Sequence, residues 1–546
     1  MIFSSVQYLI FLPIVVFLYW RLSGLPRLIL TVVASYVFYM SWLPIYGVLL
    51  ALMTVVNWAL SIGIENCRTP EPPLTEKTAA ELQAGQTSPA STNSTTEPSK
   101  PKSKAKLVAK YDHPALAKAM LLVGLLLNVG ALCYYKYVNF VIENVSAAVH
   151  AVAPLIPQYK AQLSGLQLPL VEALLPLGIS FFVFEFVHYL SDVYKGDKAV
   201  RSFFEFAAFA VFFPSQIAGP IKRYQDFIPK LRNPLPLTNP LMIEGTSLFM
   251  QGLFKKAALA DPIAAIIARP YATLDPLSCP DAWIAAFGFV IQVYCDFSGY
   301  TDMGRGSALL LGIRLPINFD LPLLSTDISV FWRKWHMSLG SWLRDYVYIP
   351  LGGSRAGIWN QHRNLFITMV VCGVWHGATW HYILFGATQG IGLIVHREWC
   401  RVLEGAPKLK QACASQIGTV LAILVNTVFV VLTYSIFRSP DIPHGLNLWA
   451  GAFSFQGAAT LIEPLCKSGI LVIGAAYFIF WQLTEYLRHH HTAIDKFIKT
   501  PAQNENQAPG QVVFLNPLRL ATYTAAAILM VASKPLEAVP FVYFQF

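Results

Sequence analysis

Two histidines lie in sequence where an ionisable side chain is costly. His336 and His376 fall within or beside apolar, aromatic runs in residues 331–385, which indicates that they are embedded in a membrane. A titratable group at bilayer depth costs free energy and usually serves a function. Imidazole exchanges protons near neutral pH, so both residues are candidates for general acid–base chemistry. The alternative is a structural hydrogen bond between packed helices.

The composition indicates what must position these histidines. Of 546 residues, 55% are hydrophobic and 13% are charged, and the mean hydropathy is +0.50. Soluble domains carry about 25% charged residues. We therefore predict an all-α, polytopic integral membrane protein. The net charge of +10 fits basic cytoplasmic loops, and no nucleic-acid-binding motif accompanies it. The eight cysteines lack paired spacing, which argues against a metal or disulfide framework.

Loop charge predicts the topology. The first span, Val6–Trp20, is followed by a short basic loop, which puts the N-terminus outside and, over the whole chain, both termini on the outer face. Residues 65–112 are rich in Pro, Ser, Thr and Lys and cannot bury a core, so we predict a disordered cytoplasmic loop there. The aromatic end of the chain, residues 534–546, would then be an extracytoplasmic tail.

The segment after Asn364 predicts a helical hairpin. An apolar run of about 32 residues is flanked by basic sequence on both sides, so a helix that enters and returns fits better than one span. His376 would lie near the apex of that hairpin.

Residues 332–346 pattern as a single amphipathic helix at the membrane interface. Trp335, Leu339, Trp342 and Tyr346 recur at helical spacing, as an aromatic belt would. Three basic residues of this stretch would meet lipid headgroups or the phosphates of a donor molecule: Arg333, Lys334 and Arg344.

Two other polar segments allow both functional and structural readings. Residues 212–233 break helical patterning, and Lys222 and Arg223 are expected at the cytoplasmic surface, where they could steer an anionic donor, although topology alone explains them. Asp296 and Asp302 could serve acid–base chemistry. Their Gly-rich surroundings favour a structural role in a capped turn instead.

Four motifs carry a family resemblance. RKWHMSLGSWLRDYVYIPLGG and VCGVWHGATWHYILFG resemble the two signature blocks of the membrane-bound O-acyltransferase family, and CDFSGYTDM and IRLPINFD resemble its bacterial branch of alginate and peptidoglycan O-acetylation proteins. The resemblance implies one membrane domain over residues 1–546, with about 10–12 transmembrane helices and re-entrant pieces around a central tunnel. It covers nearly the whole chain, apart from the insertion at residues 65–112.

The resemblance also implies roles for the histidines. His376 matches the invariant histidine of the family and would act as general base on an acceptor hydroxyl. His336 matches the second active-site position and would orient the donor or stabilise charge on the thioester oxygen. The donor would be acetyl-CoA or another acyl thioester that arrives from the cytoplasm of a bacterium, and the acyl group would cross its inner membrane without the donor crossing. Trp335 would join the basic residues above in binding it, and no resident cofactor or metal is implied.

The chain end suggests a relay. In related D-alanine-transferring systems a similar aromatic motif carries the acyl group on tyrosine, which makes Tyr543 a candidate acyl carrier; an interfacial aromatic anchor is the alternative. The chain has no GxSxG motif, so the resemblance implies a separate periplasmic SGNH or esterase-like acetyltransferase as partner. The competing functions are a D-alanyl transferase for teichoic acids and a non-enzymatic, proton-coupled transporter.

Overall fold

The chain folds into α-helices joined by short turns. The computed structural model describes residues 1–69 and 110–457, apart from 160–162, 164, 167, 173, 218 and 356. Over these residues the regular structure is helical, with one isolated bridge pair, which confirms the all-α prediction. Four stretches within them are long and apolar enough to cross a membrane: Ile45–Asn66, Pro114–Leu155, Cys279–Leu310 and Gln416–Arg438.

The N-terminal helices form the first layer. Ser5 caps the first of them by accepting a hydrogen bond from the Tyr8 backbone N–H at 3.3 Å. A π-helical turn over Cys133–Tyr137 interrupts the last pair, and such turns often occur at functional sites. The helices are α1 (Val6–Arg21), α2 (Gly24–Met40), α3 (Ile45–Asn66), α4 (Pro114–Leu132) and α5 (Val138–Val152).

The predicted insertion leaves and rejoins this layer at one point. Arg68 and Tyr111 form an antiparallel bridge, and the Asp112 N–H donates to the Cys67 carbonyl at 3.0 Å. Helix α3 continues to Asn66, so the non-helical segment begins slightly later than residue 65. Residues 70–109 lie outside the described part of the chain, and their disorder stays a prediction.

The middle of the chain contains a buried segment between two short helices. Residues 212–223 connect them. Lys222 is 2% exposed, and its ammonium pairs with the Glu185 carboxylate at 2.7 Å. The expectation that Lys222 lies at a surface is therefore wrong, since a lysine with a buried partner can be accommodated inside. The helices here are α6 (Ile179–Tyr194), α7 (Phe203–Val211) and α8 (Tyr224–Arg232).

Two helices joined by a π-helical turn pack tightly against a third helix of 32 residues. α9 (Asn239–Phe254) and α10 (Asp261–Ala272) are joined by a π-helical turn and lie against α11 (Cys279–Leu310). A Cβ added at Gly252 would lie 2.4 Å from the Gly299 carbonyl oxygen, so the backbones touch there. The expected capped turn around Asp296 is wrong, because its glycines permit this close helix packing. The carboxylate of Asp296 pairs with Lys256 at 2.9 Å.

The stretch predicted as one amphipathic helix is two. α12 (Ile328–Lys334) and α13 (Met337–Leu343) are separated by Trp335 and His336, and His336 adopts a left-handed conformation with φ 43°. The predicted location at the membrane interface is also wrong, because Trp335 is 3% exposed and Trp342 is 7% exposed. These side chains fill protein core, so the helical spacing marked burial and not an interfacial face.

The last described helices include a hairpin. α14 (Ile358–His376) and α15 (Trp380–Gly405) are separated by three residues and pack against each other along their length. This confirms the predicted hairpin, with His376 at its turn. The remaining helices are α16 (Pro407–Cys413), α17 (Gln416–Arg438) and α18 (Ile442–Phe453).

Candidate active site

Small residues bring the two arms of the hairpin together. A Cβ added at Gly373 would lie 2.2 Å from the Tyr382 carbonyl oxygen, and one at Gly386 would lie 2.4 Å from the Met369 carbonyl oxygen. Side chains larger than hydrogen would therefore separate the helices. Gly377, which follows His376, has extended backbone and ends α14. The hairpin geometry thus fixes the backbone position from which the His376 side chain extends.

Two adjacent side chains from the first layer hold the end of α14. The last carbonyls of a helix have no intrahelical partner. The Lys136 ammonium donates to the Trp375 carbonyl at 2.7 Å and to the His376 carbonyl at 2.9 Å. The Tyr137 hydroxyl donates to the Val374 carbonyl at 2.9 Å. Three successive carbonyls are therefore satisfied by the π-helical turn after α4, and the positive charge also suits the negative end of the helix dipole.

The His376 imidazole is buried among aromatic rings and one thiol. His376 as a whole is 6% exposed. The ring meets Phe437 edge-on, with centroids 4.9 Å apart, and the Cys372 sulfur lies 3.9 Å from Nε2. These contacts restrict rotation of the ring.

His336 is held by a different set of contacts. The N–H of Met337 donates to the Asn318 carbonyl at 3.0 Å, and the N–H of Ser338 donates to Asn318 Oδ1 at 3.2 Å. The His336 ring itself meets Phe297 edge-on at 4.7 Å. Asn318 therefore fixes the backbone immediately after the histidine and supports its left-handed conformation.

Trp375 connects the two histidines. Its ring centroid lies 5.9 Å from that of His336 and 4.7 Å from that of His376. The structure thus brings together two residues that are forty positions apart in sequence, against one indole. This juxtaposition is what a shared reaction site requires.

A cavity of about 100 Å³ adjoins this pair. Its wall includes Trp375 and His376 together with Lys136. Trp42, two residues after α2, residues 175–181, which lead into α6, and Ile217 complete it on the other side. One histidine of the pair therefore has direct access to a space where a small reacting group fits.

The candidate donor-binding residues lie apart from this cavity. Arg333 donates to the Ser329 hydroxyl at 2.8 Å, and Arg344 pairs with Asp345 at 2.9 Å. Arg223 also pairs with Asp345, at 2.9 Å. Lys334 follows them in α12, and its carbonyl accepts from the Asp320 N–H. Trp335 stacks on Phe331 at 5.4 Å inside the core. None of these contacts tests donor binding. A role in donor binding stays a prediction for each of these residues and for Lys222.

Tyr543 and the whole tail after residue 533 lie outside the described residues, so the role of Tyr543 as an acyl carrier stays a prediction too.

Sequence reasoning missed Lys136, Tyr137 and Asn318. Lys136 lies inside the apolar stretch over residues 120–140, and the local sequence shows no partner for it. Asn318 lies in the IRLPINFD motif between Ile317 and Phe319, and a polar side chain between two apolar ones could have marked it as a candidate.

Comparisons with known proteins identify the family. The model of the MBOAT, or membrane-bound O-acyltransferase, family matches residues 110–436, which include both histidines and the hairpin. The chain belongs to the membrane-bound O-acyltransferase family. It is a multi-pass membrane O-acyltransferase.

Relatives of this O-acyltransferase include three named enzymes. A probable alginate O-acetylase AlgI of Azotobacter vinelandii is 32% identical over the whole of both chains. A peptidoglycan O-acetyltransferase of Helicobacter pylori is 32% identical, over 63% of this chain and 66% of the relative. A teichoic acid D-alanyltransferase of Streptococcus thermophilus is 30% identical, over 48% of this chain and 68% of the relative. The family assignment leaves the non-enzymatic transporter without support.

Proposed function

We propose that this protein moves an acetyl group from a cytoplasmic thioester across the bacterial inner membrane for O-acetylation of a cell-envelope polysaccharide. The acceptor class is an alginate-like exopolysaccharide or peptidoglycan. The observation that carries the proposal is the placement of His376 at the hairpin turn, facing a cavity and held by Lys136. Similarity over the whole of a probable alginate O-acetylase supports acetyl as the group transferred.

The contacts of the N-terminus support access from outside. The Met1 ammonium donates to the Ser41 hydroxyl at 2.6 Å, so the N-terminus and the end of α2 share one face of the protein. Trp42, the next residue, lines the His376 cavity. With the N-terminus outside, as loop charge predicts, this cavity faces the compartment from which an acceptor hydroxyl arrives.

The chemistry is an acyl transfer in which one histidine accepts a proton and then passes it to the leaving group. The His376 imidazole takes the proton of the acceptor hydroxyl as its oxygen attacks the thioester carbonyl, which typically contributes about 10²–10⁴-fold in rate. The carbon–sulfur bond then breaks and the thiolate leaves, receiving the proton from the imidazolium. His336 orients the donor or stabilises negative charge on the thioester oxygen. Water is restricted around both rings by the aromatic packing.

The acceptor that meets His376 is a second part of the proposal. Tyr543 in the outer tail takes the acetyl group and passes it to a periplasmic SGNH or esterase-like acetyltransferase, which acetylates the polymer. The absence of a serine-nucleophile motif in this chain supports a separate final enzyme. A D-alanyl transferase is a weaker alternative, because similarity to that class covers about half of the chain.

Replacement of single histidines tests the proposal. His376→Ala should reduce polysaccharide O-acetylation by at least about 10²-fold, and His336→Ala should reduce it as well. His381→Ala is the matched control, since His381 is also buried in the hairpin but contacts the Thr379 hydroxyl at 3.1 Å. The readout is polymer acetate released by mild alkali from a deletion strain carrying each variant. Full acetylation with folded His376→Ala protein would refute the proposal.

A further inference from the structure

An apolar groove of about 660 Å³ lies between α15 and α17. The two helices touch at one end of it, where a Cβ added at Gly392 would lie 2.6 Å from the Phe429 ring. At the other end α16 closes the groove, and a Cβ added at Gly418 would lie 2.3 Å from the Ala412 carbonyl oxygen. Five large apolar side chains on its walls are exposed: Ile391, Val395, Trp399, Leu421 and Val425. Exposed apolar surface of this extent indicates a binding site or a face toward lipid.

The length of the groove matches one half of a bilayer. Gly418 and Phe429 line its two ends and are eleven positions apart on α17, which is about 16 Å along a helix axis. The hydrocarbon core of a bilayer is about 30 Å thick, so one leaflet contributes about 15 Å. A single acyl chain therefore fits the groove from end to end.

The charges beside the groove place it in the cytoplasmic leaflet. Gly418 lies at the start of α17, and the preceding helix, α16, carries Lys408 and Lys410. Basic residues are concentrated at the cytoplasmic ends of membrane helices. The groove therefore opens toward the inner leaflet of the membrane.

A polar pocket of about 370 Å³ adjoins the groove on the next face of α15. His396 lines both spaces, so no helix separates them. Ser329 of α12 and Leu365 of α14 form the opposite wall of the pocket. Two guanidiniums and one carboxylate complete the lining: Arg397, Arg401 and Glu404. The pocket thus places more positive than negative charge at the edge of an apolar groove.

The charge of Arg397 has no acidic partner close by. Arg397 forms no salt bridge with any residue that the structure describes, and its guanidinium meets the side-chain amide oxygen of Gln361 at 2.9 Å. Arg401 differs, since it pairs with Glu398. A guanidinium offers parallel N–H groups to a phosphate and binds it more strongly than it binds a neutral acceptor. The pocket therefore suits a phosphate group beside Arg397.

The same region borders the helix that leads to His336. The Asp327 carboxylate caps α12 by accepting from the Val330 N–H at 2.8 Å. This carboxylate also meets the His396 ring at 3.3 Å, and both residues line the groove. A ligand that fills the groove and the pocket therefore contacts α12 as well as α15, and we expect it to stabilise both helices.

We propose that the groove and the pocket together bind one anionic phospholipid of the inner leaflet, with an acyl chain in the groove and the headgroup phosphate against Arg397. Basic pockets between helices on the cytoplasmic side bind anionic headgroups in other membrane proteins. The binding does not depend on acyl transfer, because neither space is lined by His336 or His376.

The alternative occupant of the groove is the chain's own apolar stretch over residues 469–486. The sequence that follows it, residues 488–499, holds three Lys or Arg residues and one acidic residue. That segment would bring like charge toward Arg397 and the lysines of α16, which costs free energy. A phospholipid with a negative headgroup brings opposite charge, so charge complementarity favours the lipid.

Native mass spectrometry of the full-length, detergent-solubilised protein tests the proposal. Dissociation constants are measured for phosphatidylglycerol and for phosphatidylcholine with identical acyl chains. Phosphatidylglycerol should bind about tenfold more tightly, because its headgroup carries a net negative charge and that of phosphatidylcholine does not. Glycerophosphoglycerol, which is the same headgroup without acyl chains, should not compete at equal concentration, because it cannot occupy the groove.

Two variants separate the headgroup from the acyl chain. Arg397→Gln should weaken phosphatidylglycerol binding about tenfold and remove most of the preference over phosphatidylcholine. Ala422→Phe, which fills the groove, should weaken binding of both lipids. The matched controls are Arg355→Gln, at an exposed position outside the pocket, and Leu424→Phe, at an exposed position of α17 outside the groove. Both controls should leave the affinities unchanged.

The outcomes decide between the lipid and the other occupants. Equal binding of the two lipids by wild-type protein, or affinities unchanged in both Arg397→Gln and Ala422→Phe, would overturn the proposal. Effective competition by glycerophosphoglycerol would indicate a site for a soluble phosphate compound and would overturn it as well. If Ala422→Phe lowers the thermal midpoint without weakening lipid binding, the groove holds the chain's own segment and the proposal is wrong. Should one variant fail to fold, the other decides alone.

Discussion

The Lys136 ammonium donates to the backbone carbonyl of His376 at 2.9 Å, although 240 positions separate them in the chain. A side chain from the first helical layer thus fixes the point at which the hairpin turns. The candidate base is placed from outside its own helix, and the geometry of the site depends on the packing of both parts. Several consequences of this arrangement can be measured.

Replacing Lys136 with Met should lower turnover more than donor affinity. The variant keeps most of the side-chain volume but leaves two helix-end carbonyls without their donor, so the imidazole shifts, and misplacement by about 1 Å can cost about 10²-fold. Steady-state kinetics should show a fall in kcat with little change in KM for the donor. Lys136→Arg should recover part of the rate. Tyr137→Phe, which removes one neighbouring bond, serves as the control and should cost less.

Gly373→Ala should destabilise the hairpin. The added methyl group would lie 2.2 Å from the Tyr382 carbonyl oxygen, and overpacking of this kind typically costs about 1–3 kcal/mol. The thermal midpoint of the detergent-solubilised protein should fall. Gly130→Ala is the control, because a Cβ there meets no atom within 4 Å. A midpoint unchanged by Gly373→Ala would contradict the close helix contact.

The buried ion pair between Lys222 and Glu185 predicts strong coupling. Lys222→Met alone leaves a carboxylate buried without its partner, which typically costs about 3–5 kcal/mol. Adding Glu185→Gln should restore much of the stability. The exposed pair of Arg314 and Glu244 should contribute little when broken. A loss in the double variant equal to the sum of the losses in the two single variants would show that the pair is not coupled.

Much of this architecture could be predicted from the sequence, because it depends on local patterns. Apolar runs and loop charge predicted an all-helical membrane protein, and the flanking basic residues predicted the hairpin with His376 at its turn. The aromatic spacing before Tyr346 led to the wrong prediction of an interfacial helix, because interfacial and core-facing tryptophans recur with the same period. Lys136 could not be assigned, since its partners are backbone carbonyls brought close only by tertiary packing. The glycines around Asp296 likewise permit either a turn or helix contact until the neighbouring helix is known.

Tyr543 lies beyond the described residues, and its role can be tested chemically. If it carries the acetyl group, Tyr543→Phe should abolish transfer to the polymer while the protein remains folded and membrane-inserted. Mass spectrometry of wild-type protein incubated with the donor should find an acetylated tyrosine in the C-terminal peptide. Undiminished polymer acetylation by the variant would leave the aromatic tail as an interfacial anchor.

The central claim is that His376 serves an acyl transfer between two compartments. It is tested most directly with right-side-out vesicles that hold labelled acetyl-CoA inside and receive the periplasmic fraction and polymer only outside. Wild-type protein should place label on the external polymer, the His381→Ala control should do the same, and His376→Ala should reduce the label to background. Label transferred at an undiminished rate by His376→Ala, or only when polymer is enclosed with the donor, would contradict the account.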